Sequence, residues 1–167
     1  VLSEFAAVRR SGLIAMDLEP GDELGWVRFT GGQDDLVIVT RLGQAIRFSE
    51  TEIRSSSRTS GGVRAIRLDQ GDLVAGMDVV RPSEDLLVVS ANGFGKRTKL
   101  KEYPVQGRGG KGVRTIIITP KTGPVVASRV VSERDELMII SSDGIVIRLP
   151  MKSIRRTGRS AQGVGLM

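Results

Sequence analysis

A pattern that recurs about every 50 residues constrains this chain more than any other feature. Its first half is an acidic residue, an apolar run, a turn glycine and a segment with a basic residue. This half occurs as DLVIVTRLGQAIRF (35–48), DLLVVSANGFGKRT (85–98) and ELMIISSDGIVIRL (136–149). The second half occurs as SGLIAMDLEPGDEL (11–24), GGVRAIRLDQGDLV (61–74) and KGVRTIIITPKTGP (111–124). Two half-patterns that recur in phase predict a repeat protein built from small units of one design.

The sequence of each unit predicts four short strands. LVIVT and AIRF are separated by a glycine turn, which is typical of a β-hairpin. GVRAIRL (62–68) alternates branched apolar and basic residues, which predicts a third strand, and VAGMDVV (74–80) predicts a fourth. No window keeps the 3.6-residue period of a helix. The predicted fold class is all-β, with propeller-like blades of four antiparallel strands.

The repeat also predicts how the chain is divided. Two complete units cover 34–84 and 85–134, with a second half-unit at 1–33 and a first half-unit at 135–167. This is too few blades to close a normal propeller, so we expect an open arc or a fragment of a larger wheel. The chain begins in mid-pattern and without Met, and we expect it to be a piece of a longer protein.

The composition excludes most enzyme classes. The 167 residues contain no Cys and no His, which removes thiolate metal sites, the usual general base and the commonest metal ligand. We therefore expect no catalytic residue, no metal site and no cofactor in this chain. The absence of Cys fits a reducing interior, and no apolar run approaches the roughly 20 residues of a membrane span. We expect a cytoplasmic location.

The charge indicates a polyanionic partner. The net charge is +6 with a pI near 10.3, and the basic residues recur in phase while the acidic residues gather at the turns. Residues in the same phase of a repeat lie on the same edge of each blade, so we expect a continuous basic band. Aromatic residues make up only 4% of the chain, which favours duplex DNA held by its backbone over stacked single strands. The band is predicted to contain Arg47, Arg54, Arg58, Lys96, Arg97, Lys99, Arg148, Arg155, Arg156 and Arg159.

QGRGGKG (106–112) is the most distinctive short motif. It aligns with SSRTSGG (56–62) and TGRSAQG (157–163), and all three keep a basic third residue and a final glycine. Such a loop could cross between blades and could form a nest of backbone N–H groups around an anion. No Ser or Thr follows its lysine, so the motif is not the nucleotide-binding P-loop. We expect DNA contacts from Gln106, Arg108, Gly109, Gly110, Lys111 and Gly112.

The heptad QGRGGKG resembles the box of the C-terminal domain of the DNA gyrase A protein, a Gln followed by basic, Arg, Gly, Gly, basic and Gly. Gly107 departs from that pattern, since the second position is basic in the family. NGFGKRTKLKEYP, GRSAQGV and GVRAIRLDQGD are similar to the family as well, so the resemblance covers essentially the whole chain. It implies the later blades of a six-bladed β-pinwheel whose basic outer rim wraps duplex DNA.

The resemblance further implies a parent enzyme in which this chain has no catalytic role. The parent would be a bacterial ATP-dependent type II topoisomerase that introduces negative supercoils. The partners of this chain would be the gyrase B protein and the N-terminal region of the gyrase A protein. ATP and Mg²⁺ would be bound by those other regions. Tyr103 is expected to pack, not to cleave DNA. The alternatives are the equivalent domain of topoisomerase IV, a decatenase, or a protein-interaction propeller that would use Trp26 and Phe94.

Overall fold

The structure, a computed structural model, describes residues 2–8 and 10–167 and is almost entirely β. The all-β prediction is confirmed. The strands are β1 (Asp35–Thr40), β2 (Gln44–Ser49), β3 (Val74–Val79), β4 (Asp85–Ser90), β5 (Phe94–Lys99), β6 (Val113–Arg114), β7 (Val125–Val131), β8 (Glu136–Ile140), β9 (Val146–Pro150) and β10 (Val164–Gly165). Single 3₁₀ turns occur at Leu2–Phe5, Glu50–Glu52, Leu100–Glu102 and Met151–Ser153.

Three β-hairpins repeat along the chain, as the sequence predicted. β1 pairs with β2, β4 with β5 and β8 with β9, each in antiparallel register. The turn glycine of the first hairpin, Gly43, has φ +85°, and a Cβ there would lie 2.6 Å from the carbonyl oxygen of Ile116. Only glycine satisfies both the positive φ and this close approach.

The sheets exchange strands between repeats. Their strand orders are β3-β1-β2-β6 and β10-β5-β4-β7, while β8 and β9 form a two-stranded sheet. β6 pairs with β2 through Ala45↔Val113, so the sheet of one repeat takes its fourth strand from the next. The prediction of blades with four antiparallel strands is therefore confirmed, but one of the four strands comes from the next repeat and not from the same unit. The expected strand at 62–68 is absent, because the described residues before Asp35 form no strand with which it could pair.

Strand order separates an inner edge from an outer edge. β3 and β7 pack against each other, and a Cβ on Gly76 would lie 2.2 Å from Ser128 Oγ. They form the inner edges of two neighbouring blades, so β6 and β10 lie at the outer edges. Inside the described part of the chain, no helix is long and apolar enough to cross a membrane.

The main core lies between the two four-stranded sheets. Val37, Val39, Leu86 and Val88 pack there with Tyr103, whose side chain is buried. The Tyr103 hydroxyl is 2.6 Å from Thr115 Oγ1, and burial raises its pKa above the usual value, against the opposing effect of that hydrogen bond. Tyr103 therefore has a packing role.

Candidate nucleic-acid interface

Three segments cross from one repeat to the next along the outer edges of the blades. We call them the first (56–62), second (106–112) and third (157–163) crossing loops. The second leads into β6 and the third into β10, the strands that complete the two sheets. Both begin with the same bond: Gln106 N donates to Arg47 O at 2.8 Å, and Thr157 N donates to Arg97 O at 2.8 Å. The prediction that 106–112 crosses between blades is confirmed.

Arg108 holds the second crossing loop to the preceding repeat. Its backbone N–H donates to Glu52 Oε2 at 2.9 Å and its Nε donates to Glu52 O at 3.1 Å. Its Nη1 donates to Arg64 O at 3.0 Å. We call this set of bonds the Glu–Arg clamp. Arg108 thus uses its backbone N–H, its Nε and its Nη1 on protein atoms and fixes the position of the loop.

The first crossing loop has the same clamp one repeat earlier. Arg58 N donates to Glu4 Oε2 at 3.2 Å, and Arg58 Nη1 donates to Ile14 O at 3.0 Å. Ile14 and Arg64 occupy the same position of the repeat, as do Glu4 and Glu52. Arg58 is therefore a second clamp residue.

The glycines of the second crossing loop allow close packing, and half of the amides of the predicted anion nest are engaged within the protein. Gly112 has φ +77°, and a Cβ there would lie 2.3 Å from Ala45 O. Gly109 N donates to Ala65 O at 2.6 Å, and Gly110 O accepts from the backbone N–H of Arg67 at 2.8 Å. Because the amides of Gln106, Arg108 and Gly109 donate within the protein, the predicted nest is wrong at these positions.

Gln106 and Lys111 differ in their exposure. Gln106 is half-buried, and its Oε1 is buried with no hydrogen-bond partner, so it does not face a ligand on the surface. Lys111 is exposed, with its Nζ 2.9 Å from Asp69 Oδ2 at a site where both side chains are about half accessible. A surface pair of this kind is weak and can exchange its carboxylate for a phosphate.

The third crossing loop is held by Lys96. Its Nζ donates to the carbonyl oxygens of Gly158, at 2.7 Å, and Arg159. Burial lowers the pKa of Lys96 to about 8, while Glu102 opposes the change and Arg159 adds to it. The side chain of Arg159 itself forms no hydrogen bond or ion pair with any residue of 2–8 or 10–167. The clamp of the other two loops is therefore open in the third.

The structure corrects the assignment of Lys96 and Arg97 to a DNA-binding band. Both are buried, with exposures of 0% and 4%. Arg97 Nη1 lies 3.0 Å from Asp85 Oδ2, and Arg97 Nε donates to Ile154 O at 2.9 Å. Asp85 also binds Arg156 at 2.9 Å and raises the pKa of that guanidinium. These cations stabilise the contact between consecutive repeats.

Arg47 and Arg148 occupy the same position of the repeat as Arg97. Arg47 pairs with Asp35 at 2.7 Å and donates to Leu100 O at 3.1 Å, so it too fastens the next repeat. Arg148 pairs with Glu136 but stays exposed. The sequence carried a signal for this role, since an acidic residue stands 12 positions before each of the three arginines. The acid and the arginine lie on the two paired strands of each hairpin, offset by two positions, since Asp35 pairs with Ser49 and Asp85 with Lys99.

The remaining predicted cations are at the surface. Arg54, Lys99 and Arg155 are exposed, and none forms an ion pair within the described residues. Other exposed cations with the same property were absent from the predicted set. Arg64, Arg67, Lys101, Arg114 and Lys152 stand near the crossing loops or in the 3₁₀ turns, while Arg10, Arg41, Lys121 and Arg134 stand elsewhere. The repeat pattern held a signal for the first five, because the crossing loops and the 3₁₀ turns recur in each repeat.

The repeat units match segments of a known family model. A family model described as "DNA gyrase C-terminal domain, beta-propeller" matches residues 1–28, 34–81, 84–132 and 135–167. The chain belongs to this family. The four matched segments begin and end at the joints of the 50-residue pattern.

Relatives and solved structures agree with this membership. The DNA gyrase A protein of Dehalogenimonas lykanthroporepellens is 46% identical over 169 residues, which cover 98% of this chain and 21% of the relative. A solved DNA gyrase A C-terminal domain matches with a TM-score of 0.83 at 26% identity, covering 95% of this chain and 54% of that one. A topoisomerase IV C-terminal domain matches in fold, with a TM-score of 0.93 at 23% identity over 99% of this chain and 52% of that one. The chain spans about a fifth of the length of its curated relative.

Proposed function

We propose that this chain is a non-catalytic module that binds and wraps duplex DNA as part of a DNA gyrase A protein. The observation that carries the proposal is a set of exposed cations beside the crossing loops. Arg54, Lys99, Arg114 and Arg155 form no ion pair within the described residues, and Lys111 forms only a surface pair. Point charges of this kind match the phosphates of a DNA backbone.

The fixed crossing loops support the proposal further. The Glu–Arg clamp and Lys96 hold the loops against the preceding blade, so the neighbouring cations are presented from rigid segments. A preorganised surface loses less conformational entropy when it binds. Smooth bending of a 20–30 bp segment costs about 1–6 kcal/mol, which many distributed phosphate contacts can offset.

In the parent enzyme the module would feed a second DNA segment to a catalytic core. We place DNA cleavage in the N-terminal region of the gyrase A protein, and ATP and Mg²⁺ binding outside this chain, with the gyrase B protein as a further partner. The product would be negatively supercoiled DNA. The enzyme would act in the bacterial cytoplasm, at the nucleoid. This chain would supply DNA binding and bending, with no cofactor of its own.

The alternative, the corresponding domain of a topoisomerase IV, is favoured only by the fold. The fold match to a topoisomerase IV domain has the higher TM-score, but the sequence identity is 23%. The sequence matches at 42–46% identity are to DNA gyrase A proteins. We therefore favour gyrase, with decatenation as the second candidate activity.

A salt titration tests the proposed function. The chain is titrated with two duplexes of unrelated sequence at several salt concentrations. We expect the logarithm of the binding constant to fall linearly with the logarithm of the salt concentration, with a slope of about 0.9 per phosphate contact. The slope should be the same for both duplexes. End-to-end fluorescence transfer on the same duplexes should rise as the DNA bends. Binding that ignores salt, or that selects one sequence strongly, would contradict the proposal.

A further inference from the structure

A cavity lies between the second and third crossing loops, and the function proposed above does not yet use it. Its volume is about 620 Å³. Its charged lining consists of Glu102, Lys111 and Arg114 from one repeat and Arg159 from the next. Ser160 adds a hydroxyl donor. Arg114 and Ser160 are exposed or partly exposed, so the cavity opens to solvent along the outer edge.

Arg159 distinguishes the third crossing loop from the other two crossing loops. Arg58 and Arg108, at the same position of the repeat, each donate a guanidinium hydrogen bond to a backbone carbonyl. Arg159 makes no such bond within the described residues, because Lys96 fixes the third loop in its stead. Its guanidinium is half-buried, lines the cavity and keeps its hydrogen-bond donors for a ligand.

The charge balance of the cavity selects an anion. Three cations face one carboxylate, Glu102, and Arg114 has no acidic partner within the described residues. Lys111 shares its charge with Asp69. A guanidinium offers a planar fork of N–H donors that matches two oxygens of a phosphate. The arrangement of two arginines, a lysine and a hydroxyl fits a tetrahedral dianion or monoanion better than a carboxylate.

We infer that this cavity binds a phosphate group, that of the DNA backbone where the duplex passes from one blade to the next. Arg114 and Arg159 would be the main ligands, from two consecutive repeats. The inference rests on the proposed function and gives it a defined phosphate site at the blade boundary. Free inorganic phosphate offers the same chemistry, so the test must separate the two sources.

The experiment compares the chain with its Arg114→Gln/Arg159→Gln variant in the duplex salt titration. Two lost phosphate contacts should lower the salt slope by about 1.8, uniformly across sequences. The control is Arg81→Gln/Arg129→Gln, which removes the same charge beside β3 and in β7 at the inner edges. The control should change the slope by less than half as much. Thermal unfolding of each variant establishes that it is folded.

The outcomes separate this inference from the function on which it rests. If the unaltered chain binds DNA and both variants lose the same slope, the phosphate site is wrong while DNA binding stands. If the unaltered chain does not bind DNA, the proposed function fails and so does the DNA source. Calorimetry with inorganic phosphate then decides whether the cavity is a phosphate site at all. Phosphate binding that is lost in Arg114→Gln/Arg159→Gln supports a site for free phosphate, and no binding overturns the site.

Discussion

The second and third crossing loops occupy the same position of the repeat, but the second donates hydrogen bonds to the preceding repeat and the third accepts them from it. In the second, Glu52 accepts from Arg108, and a Cβ on Gly110 would touch the apolar Ile46. In the third, Lys96 stands at the position of Ile46 and donates to the loop's carbonyl oxygens. The comparison teaches that a crossing loop can be fixed either by its own arginine or by a lysine of the preceding repeat. Which residue supplies the fixing interaction decides whether the loop arginine is engaged by the protein or left for a ligand.

The largest expected effect concerns the arginines that fasten one repeat to the next. Arg97→Ala leaves Asp85 buried with one fewer partner, and breaking a buried ion pair costs about 3–5 kcal/mol. Arg148→Ala removes the residue at the same position of the third repeat, where the pair with Glu136 is exposed. Its cost should stay within about 1 kcal/mol. Urea unfolding measures both, and equal losses would contradict the structural role of Arg97.

The next effect concerns the glycines of the second crossing loop. Gly112→Ala must place a Cβ 2.3 Å from Ala45 O at positive φ, which should destabilise the protein by at least about 1–3 kcal/mol. Gly107→Ala is the matched control, because its nearest neighbour, Glu52 Oε2, lies 3.9 Å away. Thermal unfolding should separate the two variants. A tolerated Gly112→Ala would show that the loop does not pack against β2 as described.

Lys96 should give the third loop a pH dependence that the second lacks. Its pKa is lowered to about 8 from 10.5, so charged Lys96 destabilises the fold below pH 8. Stability should rise as the pH increases from 8 towards 10, by at most about 1.4 kcal/mol per pH unit. Above pH 10 the raised pKa of Tyr103 acts in the opposite direction.

The Lys96→Ile variant isolates this contribution, since Ile46 and Ile147 are the natural residues at that position. The difference in unfolding free energy between the chain and the variant should change between pH 7 and pH 10. Urea titrations across this pH range measure it. A constant difference would mean that the Lys96 ammonium is not desolvated in the fold.

The sequence predicted what depends on local pattern and missed what depends on neighbouring repeats. Gly43 and Gly144 mark hairpins because a tight turn needs positive φ, and that is readable within a few residues. The partner of β6 was not readable, because alternation fixes which side chains are buried but not which sheet a strand joins. Arg97 was misassigned for the same reason. Its burial comes from Ile154 and Arg156, more than 50 residues away.

The smallest expected effect concerns Glu102, the one carboxylate among the charged residues of the cavity. Glu102→Gln removes a repulsion of well under 1 kcal/mol at solvent-like dielectric, which should tighten DNA binding by about two- to threefold. Glu19→Gln removes an exposed acid elsewhere in the chain and should change affinity less. Fluorescence anisotropy at one fixed salt concentration makes the comparison. Equal gains for both variants would mean that only net charge matters.

The most direct test of DNA binding along the outer edge is a map of the lysines that duplex DNA shields from acetylation. Exposed lysines beside the crossing loops and hairpin ends, Lys99 and Lys111, should react more slowly in the complex. Lys121, which is exposed in the turn before β7 and lies over Phe94, should react at an unchanged rate. Shielding of Lys99 and Lys111 without shielding of Lys121 is the predicted result. Equal shielding of all three, or of Lys121 alone, would contradict the account.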